Sequence, residues 1–201
     1  MTSLRTFYRQ DEALQDAALL SKFTFSHEIG YGGKRKFLTA TIDDFWNTYK
    51  KKSERNRKFY EIIPSQAHCK LYLDLEFKVA ENESKDGRKL LEVLLKDMKI
   101  TLFEMFRHTV EEDDILILDA TTSLKFSLHV IFTKTVFENN SSMGRFISYL
   151  KSRLEVRHPG LFDVQNQEKS VSFIDSCVYK KNQNFRLFLS RKMGKENYLL
   201  S

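Results

Sequence analysis

The chain has 201 residues, 41% of them hydrophobic, with a formal net charge of +6 and a pI near 9.2. That length suits one well-buried domain or two closely packed modules, and the apolar content argues against disorder. No apolar run approaches the ~18 residues of a membrane span and the N-terminus lacks the charged-then-apolar order of a secretory leader, so a soluble intracellular protein with a polyanionic partner is expected.

A helix is predicted over residues 9–21, then strands over 24–28 and 36–41 joined by the glycine turn Gly30-Tyr-Gly-Gly33. A second helix follows over 42–52, with Thr41 as its cap and Asp43 and Asp44 in its first turn. Pro64 marks a break and closes a small N-terminal module, residues 1–66. The remainder, 67–201, reads as a second module. Its elements are a strand over 68–77, a helix from about 87 to 108, strands over 115–118 and 124–132, and a helix over 143–156. A loop over 158–169 leads to a strand over 172–178 and, past the polar stretch 180–184, to a fourth strand. The first long helix carries Leu91, Leu94, Leu95, Met98, Leu102, Met105 and Phe106 at three- and four-residue steps, and the second carries Phe146, Ile147, Leu150 and Leu154, so both offer an apolar stripe to a core. This order predicts an α/β fold of the α+β type, a split sheet with helices on its back and a charged face left open.

The strand faces carry the chemistry. In 70–77, Leu71, Leu73, Leu75 and Phe77 alternate with Tyr72, Asp74 and Glu76, so a strand of period two aims two carboxylates from one surface. Such a pair can hold divalent cations, although most polar faces of half-buried strands are simply wet. In 124–132, Phe126, Leu128, Val130 and Phe132 oppose Lys125, Ser127, His129 and Ile131. In 172–178, Phe173, Asp175 and Cys177 share one side, and Asn184, Arg186, Ser190 and Lys192 share one parity beyond it. If these four strands join one sheet, three acids converge on metal ions while cations and hydroxyls surround a polyanion.

The order Asp74-Leu-Glu76, then Lys125-Phe-Ser127-x-His129, then Phe173-Ile-Asp175 followed by Val178-Tyr-x-x-Asn182-x-Asn184-Phe-Arg186-Leu-Phe-x-Ser190-x-Lys192, resembles the catalytic core of the eukaryotic primase-polymerase (PrimPol) family of the archaeo-eukaryotic primase superfamily. The approach from Tyr60 to Phe77 is similar too, as are Phe7-Tyr-Arg9-Gln10 and Asp44-Phe-Trp46, so the resemblance spans nearly the whole chain. It implies a primase core with a mixed or antiparallel RRM-like sheet, helices on one face, and a small N-terminal α/β module. It further implies template-directed transfer of (d)NTPs to a primer 3'-hydroxyl in DNA replication and damage tolerance, including translesion synthesis, through two Mn2+ or Mg2+ ions. Hard ions of that kind suit carboxylates rather than histidines.

By the same resemblance, Asp74, Glu76 and Asp175 are the metal ligands, and Lys125, Ser127, His129, Arg186 and Lys192 form a triphosphate clamp supported by Asn184. Tyr60 matches a position near the incoming sugar, Arg35 one near the nucleotide, and Arg9 and Gln10 ones near the template. Implied partners are single-stranded DNA template, primer-template, nucleoside triphosphates and a single-strand-binding protein reached through a C-terminal region, in the nucleus or mitochondrion and away from membranes. Three departures stand out. No cysteine- and histidine-rich zinc module is present, so extension is expected to outlast primer initiation. Gln183 occupies a place where relatives often have arginine, and the loop before Asp175 is short.

Charge placement agrees with a phosphate-tracking surface. Lys50, Lys51, Lys52, Arg55, Arg57 and Lys58 precede Tyr60, and Lys34, Arg35 and Lys36 follow the glycine turn, while acids gather at 111–114. Interleaved Phe37, Trp46, Tyr49, Phe59 and Tyr60 could stack on bases or simply fill a core. Cys69 and Cys177 lack any paired spacing and read as two thiols in a reducing compartment. His27, His68, His108 and His158 have no ligand spacing and read as structural or surface residues. Asp119 either orients the site or caps a turn. Ser127 and His129 lack the glycine-flanked turn of a serine hydrolase. Two rival functions remain: a metal-dependent nuclease using Asp74, Glu76 and Lys78, and a catalytically silent nucleic-acid-binding protein, which gathered like charges argue against.

Overall fold

A computed structural model describes residues 4–201. In chain order they form β1 (Arg5–Phe7), α1 (Gln10–Leu20), β2 (Phe23–Glu28), β3 (Arg35–Ala40), α2 (Ile42–Tyr49), β4 (Phe59–Ile63), β5 (Cys69–Lys78), α3 (Gly87–Phe106), β6 (Ile115–Asp119), β7 (Lys125–Phe137), α4 (Asn140–Arg157), β8 (Asp163–Asn166), β9 (Lys169–Ser172) and β10 (Gln183–Arg186). The mixed α/β class with antiparallel sheets is the expected one. No helix among the described residues is long and apolar enough to cross a membrane.

The chain divides into two compact units, one made of residues 4–65 with Lys180–Leu200, the other of Gln66–Tyr179. The first break falls after Ser65. The last segment differs from the expected division: β10 returns to the first unit because it pairs antiparallel with β4, setting Asn184 opposite Ile62 and Arg186 opposite Tyr60. The four polar-faced segments therefore do not join one sheet, the condition on which their acids and cations were expected to converge.

In the first unit an antiparallel sheet runs in the order β1-β3-β2-β4-β10. Gly32 and Gly33 close the β2–β3 turn at φ 71° and 77°, in the left-handed region where a side chain is costly. Thr41 caps α2 as its sequence suggests, its hydroxyl accepting the Asp44 N–H at 3.2 Å. The helix thereby seats Phe45 and Tyr49 on the sheet. Phe45 stacks on Phe25 at 3.6 Å, and with Ala40, Tyr49 and Phe59 they form the core. Tyr49, Phe59 and Tyr60 are thus buried, while Trp46 keeps 45% of its surface. Of the aromatics weighed as base-stacking platforms, Tyr49 and Phe59 belong to the core cluster.

In the second unit the sheet order is β5-β7-β6. Leu71, Leu73 and Leu75 of β5 and Leu128, Val130 and Phe132 of β7 are fully buried, as the period-two pattern requires. Helices α3 and α4 are tied by Asp97, which accepts from Arg157 at 2.5 Å and contacts His158 Nε2 at 2.8 Å. Strand β7 runs past its expected end to Phe137. Leu71 pairs with Phe132 but Lys70 pairs with Val136, so residues 133–135 bulge from the ladder and the Lys70 ammonium binds the Thr133 carbonyl.

Two expectations fail in the stretch that follows α4. The loop over 158–169 contains the hairpin β8–β9, turned by Gln167 and Glu168 at φ 50° and 66°. These are left-handed turn positions without the Asn-Gly signature that reveals such turns. The strand over 172–178 is instead a single bridge from Ile174 to Leu75 and a short 3-10 turn, Ser176–Val178.

Candidate active site

The polar face of β5 meets that of β7 in register: Asp74 lies opposite His129 and Glu76 opposite Ser127. Each acid is flanked by a basic side chain of the neighbouring strand. Lys125 Nζ donates to Glu76 Oε2 at 2.5 Å, and His129 Nε2 stands 3.9 Å from Asp74 Oδ2. Ser127 and His129 are buried. Lys125, placed by the resemblance on a triphosphate, is here held by a metal-ligand candidate.

Asp175 reaches the same strand by its main chain. The Glu76 N–H donates to the Phe173 carbonyl at 3.3 Å and the Asp175 N–H to the Asp74 carbonyl at 2.9 Å. Tyrosines fasten this segment down. The Tyr72 hydroxyl bonds to Asn140 Oδ1 and the Val178 carbonyl, both at 2.8 Å, and the Tyr179 hydroxyl donates to the Tyr72 carbonyl at 3.0 Å. The Tyr179 phenol is pushed well above its ordinary pKa, first by burial, then by Tyr72 and by the negative charges of Asp74 and Asp175. Both carboxylates thus act on one ring.

Asp74, Glu76 and Asp175 offer only hard oxygen donors, the set that suits magnesium or manganese. Among the described residues no group of three or more His, Cys, Asp or Glu side chains stands as a ready cage. Glu76 is engaged by Lys125, and Asp175 Oδ1 accepts the Cys177 N–H at 2.7 Å, capping the turn that follows it. The donor chemistry fits, and the side chains hold local partners.

The remaining predicted site residues lie in the first unit. Tyr60 of β4 sits between Ser26 of β2 and Arg186 of β10 in cross-strand register, and Arg186 is buried. Asn184 Oδ1 accepts from Ser26 Oγ at 2.6 Å. Arg35 lies over the Tyr60 ring at 4.7 Å and pairs with Glu28 at 3.3 Å. Lys192 is exposed on the loop after β10. The expected shared parity of Asn184, Arg186, Ser190 and Lys192 ends with the strand at Arg186. Ser190 turns inward, its oxygen lying 2.9 Å from the Tyr49 hydroxyl and accepting the Phe59 N–H at 3.1 Å. Arg9, at the start of α1, pairs with Asp11 at 2.9 Å, and Gln10 begins the helix.

Residues 29–201 match the model of a family described as the C962R protein N-terminal AEP domain. The chain belongs to the archaeo-eukaryotic primase family. Among curated proteins it is 31% identical to a DNA-directed primase/polymerase protein of Danio rerio over 95% of the chain and 43% of the relative. The figures are 36% over 71% of the chain and 26% of the relative for the Homo sapiens protein of that name, and 28% over 95% and 45% for that of Mus musculus. The chain spans less than half the length of these relatives.

Sequence reasoning missed Glu28, Tyr72 and Tyr179 as organisers of the family's motif residues. Tyr72 shared the parity of Asp74 and Glu76, which was the available signal; Glu28 ended a strand with nothing to mark it. The residues read as structural are accounted for by packing. His27 stacks on Phe59 at 4.1 Å, His108 contacts Thr135 at 2.9 Å, and His68 is exposed. Asp119 caps a turn, accepting the Thr121 N–H at 2.7 Å, and pairs with Arg88. Lys78, the lysine of the nuclease reading, donates to Glu81 at 2.6 Å.

Proposed function

We propose that this chain carries the catalytic part of a DNA primase-polymerase, adding nucleotides to a primer 3'-hydroxyl under the direction of a DNA template, in replication and damage tolerance. The observation that carries the reading is the main-chain bond from Asp175 to Asp74, which brings a third acid beside the Asp74 and Glu76 pair. A divalent cation would ease the repulsion among carboxylates brought near one another. Asp74, Glu76 and Asp175 would hold divalent magnesium or manganese, which when bound supplies charge neutralisation of the triphosphate and activation of the attacking hydroxyl.

The protein's own groups do the rest. Lys125, fixed by β7, brings positive charge to the carboxylate face and His129 a ring nitrogen beside Asp74; with Glu76 committed to a cation, Lys125 would be left to donate to a phosphate oxygen. Ser127, on the same face of β7, donates to the phosphates. In the first unit Arg186, Lys192 and Arg35 supply further cations for the triphosphate, Asn184 supports them, and Tyr60 contacts the sugar. Arg9 and Gln10 contact the template, and the exposed lysines 50–52 with Arg55 hold phosphate backbone. The names of the Danio rerio and Homo sapiens relatives support the reaction class.

A labelled primer-template incubated with nucleotides and manganese or magnesium tests the reading. Lengthening is expected; shortening without lengthening would make the protein a nuclease, and no change would leave it a binding protein.

A further inference from the structure

Glu28 is an acid beside Tyr60, on which the charges of Arg35 and Arg186 also act, and an uncompensated carboxylate there would repel a phosphate ligand. Its side chain is 11% exposed, and three donors of different kinds meet on it. Arg35 Nη2 pairs with Oε1 at 3.3 Å, the Tyr60 hydroxyl donates to Oε2 at 3.1 Å, and the Met193 backbone N–H donates to Oε2 at 2.8 Å. The last of these pins the chain one residue beyond Lys192. The others fix the Tyr60 ring and the guanidinium that covers it at 4.7 Å. Desolvation and the nearby Glu28 charge push the Tyr60 phenol up to about 12, so it stays a donor to that carboxylate at neutral pH.

We infer that Glu28 is the positioning residue of the first unit's nucleotide contacts, one carboxylate that sets the Tyr60 ring, the Arg35 guanidinium and the backbone beside Lys192 at once. The inference rests on the polymerase reading given above. Glu28 need not touch the nucleotide; it acts through the three groups it holds. Its single negative charge is matched by Arg35 alone among its three donors, and this couples the two residues. Removing Arg35 leaves a buried carboxylate facing the phosphates, a worse outcome than removing both charges.

The test is steady-state primer extension with nucleotide titration on Glu28→Ala, Glu28→Gln, Arg35→Ala and the Glu28→Gln/Arg35→Ala double variant, with thermal midpoint and DNA affinity recorded for each. Glu28→Ala is expected to raise the nucleotide KM about tenfold with a smaller change in kcat, the loss of one charge-assisted contact set. Glu28→Gln, which keeps an acceptor for Tyr60 and Met193, should fall between. The double variant should have a lower KM than Arg35→Ala. A merely structural role would lower the midpoint and the active fraction while leaving KM where it was. That result, or a double variant no better than Arg35→Ala, overturns the inference. Should Glu28→Ala not fold, the glutamine cycle decides alone. Wild-type protein that fails to extend primers overturns the polymerase reading itself and this inference with it, an outcome distinct from unchanged KM in an active enzyme.

Discussion

The backbone N–H of Asp175 donates to the backbone carbonyl of Asp74 at 2.9 Å. Two acids from distant stretches are therefore held together by main chain, not by the side chains that repel one another. The bond sets the spacing of the two backbones, while Glu76 is held by Lys125 and Asp175 Oδ1 by the Cys177 N–H.

Replacing Asp74 and Glu76 together by alanine should abolish nucleotide addition while leaving DNA affinity within about twofold, since under the proposed function backbone phosphates would be met by lysine and arginine elsewhere. Primer extension and fluorescence anisotropy on the same preparation check both halves. Extension that survives removes these residues from the reaction, and an equal fall in both readouts points to misfolding.

Tyr72→Phe should loosen the segment that delivers Asp175. The hydroxyl lost bonds to Asn140 Oδ1 and to the Val178 carbonyl, and a buried pair of that sort is worth about 1–2 kcal/mol. The urea midpoint should fall accordingly. Extension should fall further than the loss of folded protein explains, because the carboxylate itself gains freedom. A proportional loss of both would reduce Tyr72 to a core residue.

How much of this could be read from the residues differs between the two units. The β5 and β7 faces were legible because alternation is strict there and burial on one side leaves a single register. Thr41 and the β2–β3 glycine turn were legible because local chemistry decides them. The approach of Asp175 to β5 was not legible from alternation. Asp175 arrives through one bridge and a 3-10 turn, which have no periodicity to read. The return of β10 to the first unit was invisible, since four residues of a strand, Gln183–Arg186, give no hint of which edge they will join. Glu28 was hidden for a related reason: its three partners come from β3, β4 and the loop after β10, and only tertiary pairing assembles them.

Asp97 should make the second unit acid-sensitive. Burial raises its carboxyl, but hydrogen bonds from Arg157 and His158 outweigh burial and hold it below the ordinary carboxylate range. A folded pKa lower than the unfolded one means the unfolded chain takes up the proton first. The stabilisation is therefore complete above about pH 4 and is lost as pH falls through the lowered folded value. Asp97→Asn should cost about 2 kcal/mol at pH 7, and its urea midpoint should converge on that of the wild type in strong acid. A constant gap from pH 7 to pH 2 would show that the carboxylate's charge contributes nothing.

Arg186 faces Tyr60 across the β4–β10 ladder and is 5% exposed. Under the proposed function its guanidinium is one of the triphosphate contacts. Arg186→Ala should then raise the nucleotide concentration needed for half-maximal extension by about tenfold, with primer-template affinity and its steep decline in salt unchanged. Arg186→Lys should recover little, since a compact ammonium cannot reproduce a forked contact from the same strand position. An unchanged nucleotide dependence in a folded variant would assign Arg186 to the sheet and leave the phosphate contacts of the first unit to Arg35 and Lys192.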